Sequence, residues 1–161
     1  MYRDKATLSA LIVSSSQKAA DYLQDILSRL RFSPVANAVS IAEAKRRQLE
    51  YRFDLVIINA PLPDDFGLEF AEALCTDSSV GVILFVKAEL LEQVSYKVED
   101  YGVLTFPRPG TRQSITSAIR LAAATHNRLS AFEIWQNQEF YRRPPLSNTE
   151  AQYSGILGID R

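Results

Sequence analysis

The stretch A10-LIVSSSQKAADY-L23 decides how the chain is read. Four apolar residues, Ala10 to Val13, run without alternation into Ser14, Ser15 and Ser16. Apolar residues without alternation mark a strand buried on both faces, as in a parallel sheet. Beyond the serines, Ala20, Leu23, Leu27 and Leu30 recur at helical spacing, with Lys18, Asp21, Gln24 and Asp25 mainly on other faces. A strand that feeds a helix through a polar turn is the opening of a βαβ unit. In open α/β sheets the carboxyl ends of the strands carry the chemistry. The serines therefore stand where a functional edge is expected.

The same alternation continues. Residues 34–38 form a short second strand, and Ser40-Ile41-Ala42-Glu43 is a capping box that starts a helix over 41–50. "DLVIIN" (54–59) is an apolar strand ending at Asn59, followed by the loop "PLPDDFG" (61–67) and a helix through Leu68, Ala71, Leu74 and Cys75. "VGVILFV" (80–86) is a fourth strand, with a polar helix over 89–98. "GVLTF" (102–106) is a fifth, followed by "PRPG" and a helix opening near Thr111 with Ile115, Ala118, Ile119 and Ala122 on one stripe. This pattern predicts a doubly wound α/β fold with a five-stranded parallel sheet and a C-terminal extension.

Composition sets limits. The 161 residues, 47% hydrophobic and 23% charged, suit one main domain, drawn at 1–129 with an extension at 130–161. A net charge of −1 gives no global pull toward nucleic acid or an anionic membrane. The first residues lack the apolar core of a signal peptide, and no apolar run reaches membrane-spanning length. Cys75 is the single cysteine, which excludes an internal disulfide, fits a cytoplasmic setting and reads as a buried structural thiol. His126 is the single histidine and reads as a surface or capping residue, with no metal or cofactor expected. In the extension, Phe132, Trp135, Phe140 and Tyr141 precede Pro144-Pro145, which stops any helix. The first reading is a short helical continuation that packs these rings and then a loose tail; the alternative is an aromatic docking arm.

Over roughly residues 8–129 the chain resembles the receiver domain of bacterial response regulators, and the resemblance implies a flavodoxin-like, CheY-like sheet of strand order 2-1-3-4-5. Ser14 and Ser15 stand at the family's acidic pair, Asn59 at its phosphate-accepting aspartate, and Val86 at its Thr or Ser. Arg108-Pro109 stands at its Lys-Pro pair, while Leu62-Pro63 and Gly67 follow its loop pattern. The stretch 82–109 is similar to atypical receivers of clostridial-type regulators carrying an ANTAR domain, an RNA-binding helical unit used in antitermination. After Leu129 the long coiled helix and that effector are missing, so RNA binding does not carry over.

Phosphorylation of a receiver needs an attacking carboxylate, a divalent cation on hard anionic oxygens, and a balancing side-chain cation. Asn59 is an amide, Ser14 and Ser15 are neutral, and Val86 has no polar group; Arg108 alone keeps its charge. The resemblance with these departures implies a pseudo-receiver, not an enzyme, whose hydroxyls and amide hydrogen-bond one another and the helix that follows. Asp64 and Asp65 are expected to cap the helix after their loop. A phosphorylation-independent protein complex or homodimer is expected on the face of the fourth helix, fifth strand and fifth helix, with Tyr101, Phe106 and Arg112 as candidates. One rival is an anion or flavin phosphate at Ser14, Ser15 and Ser16, though the loop lacks the glycine that would let backbone wrap an anion. The other is RNA binding through Lys45-Arg46-Arg47 or Arg142-Arg143, which lack interleaved aromatics.

Overall fold

In a computed structural model of the chain, residues 7–142 are described, with side chains to residue 136. Residues 143–161, with Arg143 and Pro144-Pro145, lie outside the described part, as do the side chains of Phe140, Tyr141 and Arg142. The elements run β1 (Ala10–Val13), α1 (Gln17–Arg29), β2 (Val35–Ala38), α2 (Ile41–Glu50), β3 (Leu55–Asn59) and α3 (Leu68–Asp77). They continue with β4 (Gly81–Lys87), α4 (Leu91–Val98), β5 (Leu104–Arg108) and α5 (Arg112–Arg142), with single 3₁₀ turns on either side of α4. All strand pairs are parallel and the order is β2-β1-β3-β4-β5. The expected α/β fold and strand order are therefore those observed.

Successive strand residues point to opposite faces, so one sheet feeds two cores. Leu11, Val13, Val56, Ile58, Val82 and Leu84 meet the side built by α2, α3 and α4. Ala10, Ile12, Leu55, Ile57, Ile83 and Phe85 meet Leu23, Ile26 and Leu27 of α1 and Ile119 of α5. Ile57 and Ile83 are fully buried. Truncation of either to alanine removes contacts worth about 2–5 kcal/mol.

Local chemistry sets the helix ends. The Ser16 hydroxyl accepts from Ala19 N–H at 3.2 Å and opens α1. At the other end, Arg31 takes a left-handed φ of 68°, Phe32 N–H donates to the Leu27 carbonyl and Arg31 N–H to that of Ser28. This is a Schellman stop built without glycine. Ser40 accepts from Glu43 N–H at 3.1 Å, and the Glu43 carboxylate accepts from Val39 N–H at 2.8 Å, closing the expected box one residue further back than the standard pattern.

Two expectations are corrected. β5 runs on to Arg108 and includes Pro107, where the sequence reading stopped at Phe106. An edge strand tolerates proline because one row of N–H groups needs no partner. Helix α5 runs to Arg142, well past its first expected turns. Residues 126–142 contain no glycine or proline, and good helix formers sustain the helix where no apolar stripe is required. The chain divides into units Met1–Arg128 and Leu129–Arg161, with the division inside α5. In the second unit, Phe132 and Trp135 lie 6.2 Å apart and stacked, yet each stays 54% exposed. Their rings pair with each other instead of entering a core.

His126 is also corrected. It lies four residues beyond Ala122 on the buried stripe of α5, and its side chain is only 12% exposed. Its Nδ1 donates to the Ser79 carbonyl at 2.8 Å and its Nε2 lies 3.2 Å from an Asp54 carboxylate oxygen. The other Asp54 oxygen accepts from Ser9 N–H at 2.9 Å. The imidazole thus clasps α5 to the amino ends of the strands. Gly81, at the start of β4, lies under the same helix. A Cβ there would stand 2.6 Å from the Ala122 carbonyl oxygen, part of a helix backbone that cannot yield cheaply. Gly81→Ala is expected to lower stability by about 1–3 kcal/mol in urea unfolding.

Candidate functional site

Parity carries four polar residues to one place. Ser14 continues the column Ala10-Ile12, and Asn59 ends Leu55-Ile57. Lys87 ends Ile83-Phe85, and Arg108 ends Leu104-Phe106. All four columns face α1 and α5. At their carboxyl ends the side chains form a hydrogen-bonded chain. Arg108 Nη1 donates to Asn59 Oδ1 at 2.8 Å, and Asn59 Nδ2 donates to Ser14 Oγ at 3.1 Å. Ser14 Oγ also accepts from Ser16 N–H at 3.1 Å and donates to the Ser16 carbonyl at 3.3 Å.

The chemistry of this arrangement is that of a hydrogen-bonded network that contains no carboxylate. Ser14 is buried, and its hydroxyl uses one donor and two acceptor positions. The Asn59 amide is oriented by partners at both ends, a guanidinium on its oxygen and a hydroxyl on its nitrogen. The site therefore joins Ser14, Asn59 and Arg108, the last through a contact with the amide that the sequence reading did not include. Ser15 stays exposed beside them. Val86 is fully buried in the core on the opposite face, as its odd place in the column requires. Among the described residues, no group of three His, Cys, Asp or Glu side chains gathers in a way that could hold a metal ion. The peptide bond between Arg108 and Pro109 is cis.

The loop acids behave differently from expectation. Asp64 caps α2 rather than the helix that follows it. Its two oxygens accept from Ile41 N–H at 2.9 Å and Ala42 N–H at 3.0 Å. The parallel crossover sets the β3 loop beside the start of α2, so the nearest unpaired N–H groups belong to that helix. These two backbone donors hold the Asp64 carboxyl below its ordinary range. Asp65 does serve its own loop, accepting from Gly67 N–H at 2.8 Å just ahead of α3. Gly67 has a φ of +107°, a conformation that L side chains rarely adopt.

The candidates for the interaction face also separate. Tyr101 is 48% exposed. Phe106 instead turns inward, with its ring 6.1 Å from that of Phe85, because it shares the inward column of β5. Arg112 pairs with Asp25 of α1, and its guanidinium lies 5.6 Å from the Tyr22 ring centre. Its place in the first turn of α5 sets it over α1 and away from α4. Arg112 and then Arg29 hold the Asp25 carboxyl low. Tyr96 of α4, 82% exposed, was not singled out in the sequence, though its polar helix gave the signal. Lys45-Arg46-Arg47 lie on α2, where Arg47 pairs with Glu43 at 3.5 Å. Cys75 is half-buried, and burial pushes its thiol up to about 11.

No protein-family profile matches the sequence, and no curated protein matches it by sequence. Solved structures do match the fold. The signal receiver domain of an HD domain-containing protein from Pseudomonas fluorescens Pf-5 aligns with a TM-score of 0.70 at 21% identity, covering 79% of this chain and 94% of that one. A two-component transcriptional regulator AraC from Clostridium phytofermentans gives a TM-score of 0.70 at 17% identity, covering 78% and 99%. The chemotaxis response regulator CheY4 of Vibrio cholerae gives 0.64 at 17% identity, covering 73% and 99%. The fold of this chain is that of receiver domains.

Two outcomes follow from the geometry. Asn59→Ala removes the link between Arg108 and Ser14 and is expected to lower stability by about 1–2 kcal/mol in denaturant unfolding. The Asp64 carboxyl sits lower in the folded chain than when unfolded, so its contribution is complete above about pH 4 and is lost as pH falls through its depressed value. Stability of the natural chain should fall more steeply in that acid window than that of Asp64→Asn, as read by thermal unfolding at successive pH values.

Proposed function

We propose that the chain is a signalling module on a receiver fold that acts by binding protein and works without phosphorylation. The observation that carries this reading is the closed chain Arg108–Asn59–Ser14–Ser16. An amide held at both ends offers no carboxylate oxygen to phosphorus. The hydroxyl beside it is committed to its neighbours, and the Arg108 guanidinium is turned onto the amide. The geometry that phosphorylation would impose elsewhere is thus replaced by a fixed neutral contact. The module performs no chemistry of its own, and its setting is the cytoplasm.

Its working surface lies on α4 and the edge strand β5. Tyr96 and Tyr101 supply exposed rings there, and a shallow groove runs along Leu91, Ser95 and Glu99. Thr105 Oγ1 donates to Ser95 Oγ at 3.0 Å, which holds α4 against β5 without any switch. The partner is a second copy of the chain, and the process is transcriptional control. The similarity in fold to a two-component transcriptional regulator supports the assignment to transcriptional control.

Incubation with acetyl phosphate and Mg²⁺ should leave the intact mass unchanged. A triple variant, Asn59→Asp with Ser14→Asp and Ser15→Asp, is the positive control. Gain of one phosphoryl group by the natural chain would return it to conventional phosphotransfer. Sedimentation should show a reversible dimer that Tyr96→Ala weakens roughly tenfold, the loss of one central aromatic contact. A monomer at high concentration would remove the self-association.

A further inference from the structure

A cleft of about 490 Å³ opens at the carboxyl edge of the sheet, beside the Asn59 network. That volume lies within the roughly 300–1,000 Å³ of small-molecule sites. Tyr22 and Leu23 of α1 form one wall, Pro109 and Ile115 the other, and Phe85 contributes from the sheet between them. The lining is otherwise apolar except for Asn59, Lys87 and Arg108.

The charge in this cleft is one-sided. Lys87 and Arg108 are register partners at the ends of β4 and β5, so their side chains leave the sheet on the same face. Lys87 is exposed and has no hydrogen bond or ion pair among the described residues. Arg108 spends one donor on the neutral oxygen of Asn59. No Asp or Glu lines the cleft. Asp25 of α1 is not among the lining residues, and its carboxylate is held by Arg112. Two cations facing an apolar hollow with no acid to balance them call for an anion carried on an apolar body.

We propose that this cleft binds a small organic anion, a carboxylate held by Lys87 and Arg108 on a flat apolar body lying between Tyr22, Phe85 and Ile115. Inorganic phosphate would satisfy the cations and leave the aromatic walls in water, so the body supplies binding that the charge alone does not. Ser14 and Ser16 play no part in holding the anion, because the Ser14 hydroxyl is committed and the Ser16 hydroxyl caps α1. The two readings fail separately: phosphorylation of the chain would refute the proposed function, whereas this proposal is decided by binding to the unphosphorylated chain.

The test is titration of 2-naphthoate, and of uncharged 2-naphthamide, into the ¹⁵N-labelled full chain. Saturable amide shifts are expected at Tyr22, Lys87 and Gly110, with the amide binding roughly tenfold weaker. Lys87→Gln, an exposed change that leaves the core untouched, should weaken naphthoate by a similar factor. Ala19→Phe fills the cleft from the half-buried side of α1 and should abolish binding while thermal unfolding confirms the fold. Inorganic phosphate at equal concentration should not displace naphthoate. Absence of saturable shifts, shifts confined to other surfaces, equal affinity for the two probes, or full affinity in Lys87→Gln would each overturn the proposal.

Discussion

Burial of the sheet on both faces is the constraint from which the rest follows. A strand covered on both sides has no freedom to slip by one residue, because a slip would exchange its two cores. Each column of alternate residues is therefore committed to one set of helices before any polar contact forms. Ser14, Asn59, Lys87 and Arg108 are continuations of such columns past the last apolar residue. Their convergence on the face of α1 and α5 is a consequence of strand parity, as is the burial of Val86 on the face of α2 to α4.

The edge that results pairs a hydroxyl with an amide. Neither carries charge, so no like-charge repulsion arises between them. The remaining guanidinium finds a neutral acceptor at 2.8 Å. Arg108 thereby keeps the cross-sheet contact from β5 to β3 while leaving its charge uncompensated. Lys87, one strand over, adds to that charge. The same parity that brings Arg108 to Asn59 thus leaves a cationic rim on an apolar hollow.

Long-range polar contacts fasten the helices to this frame. Asp64 joins the β3 loop to α2, His126 joins α5 to Asp54 and Ser79, and Asp25 joins α1 to Arg112. Each places a charged or titratable group against a partner far away in sequence. The contacts serve different ends: Asp64 satisfies helix N–H groups, His126 clasps the amino edge of the sheet, and Asp25 ties α1 to the first turn of α5. The exposed pair of Asp25 and Arg112 adds little stability by itself but restricts where α5 begins.

The sequence by itself determined the five strands, their parallel pairing and the place of the polar edge, because unbroken apolar runs and helical stripes are written locally. It also determined that no carboxylate stands at Ser14 or Asn59 and that Arg108 brings a positive charge, since that is a matter of side-chain identity. The tertiary structure decided which groups those side chains met. Asp64 reads as the cap of its own helix until the crossover brings α2 nearer. Phe106 and Arg112 read as surface residues until strand parity turns one inward and the start of α5 sets the other over α1. His126 reads as solvent-facing until the stripe of Ala118 and Ala122 is followed one turn further. Hydrogen bonds act over about 3 Å, and which donors come that close to which acceptors is fixed only when the layers pack.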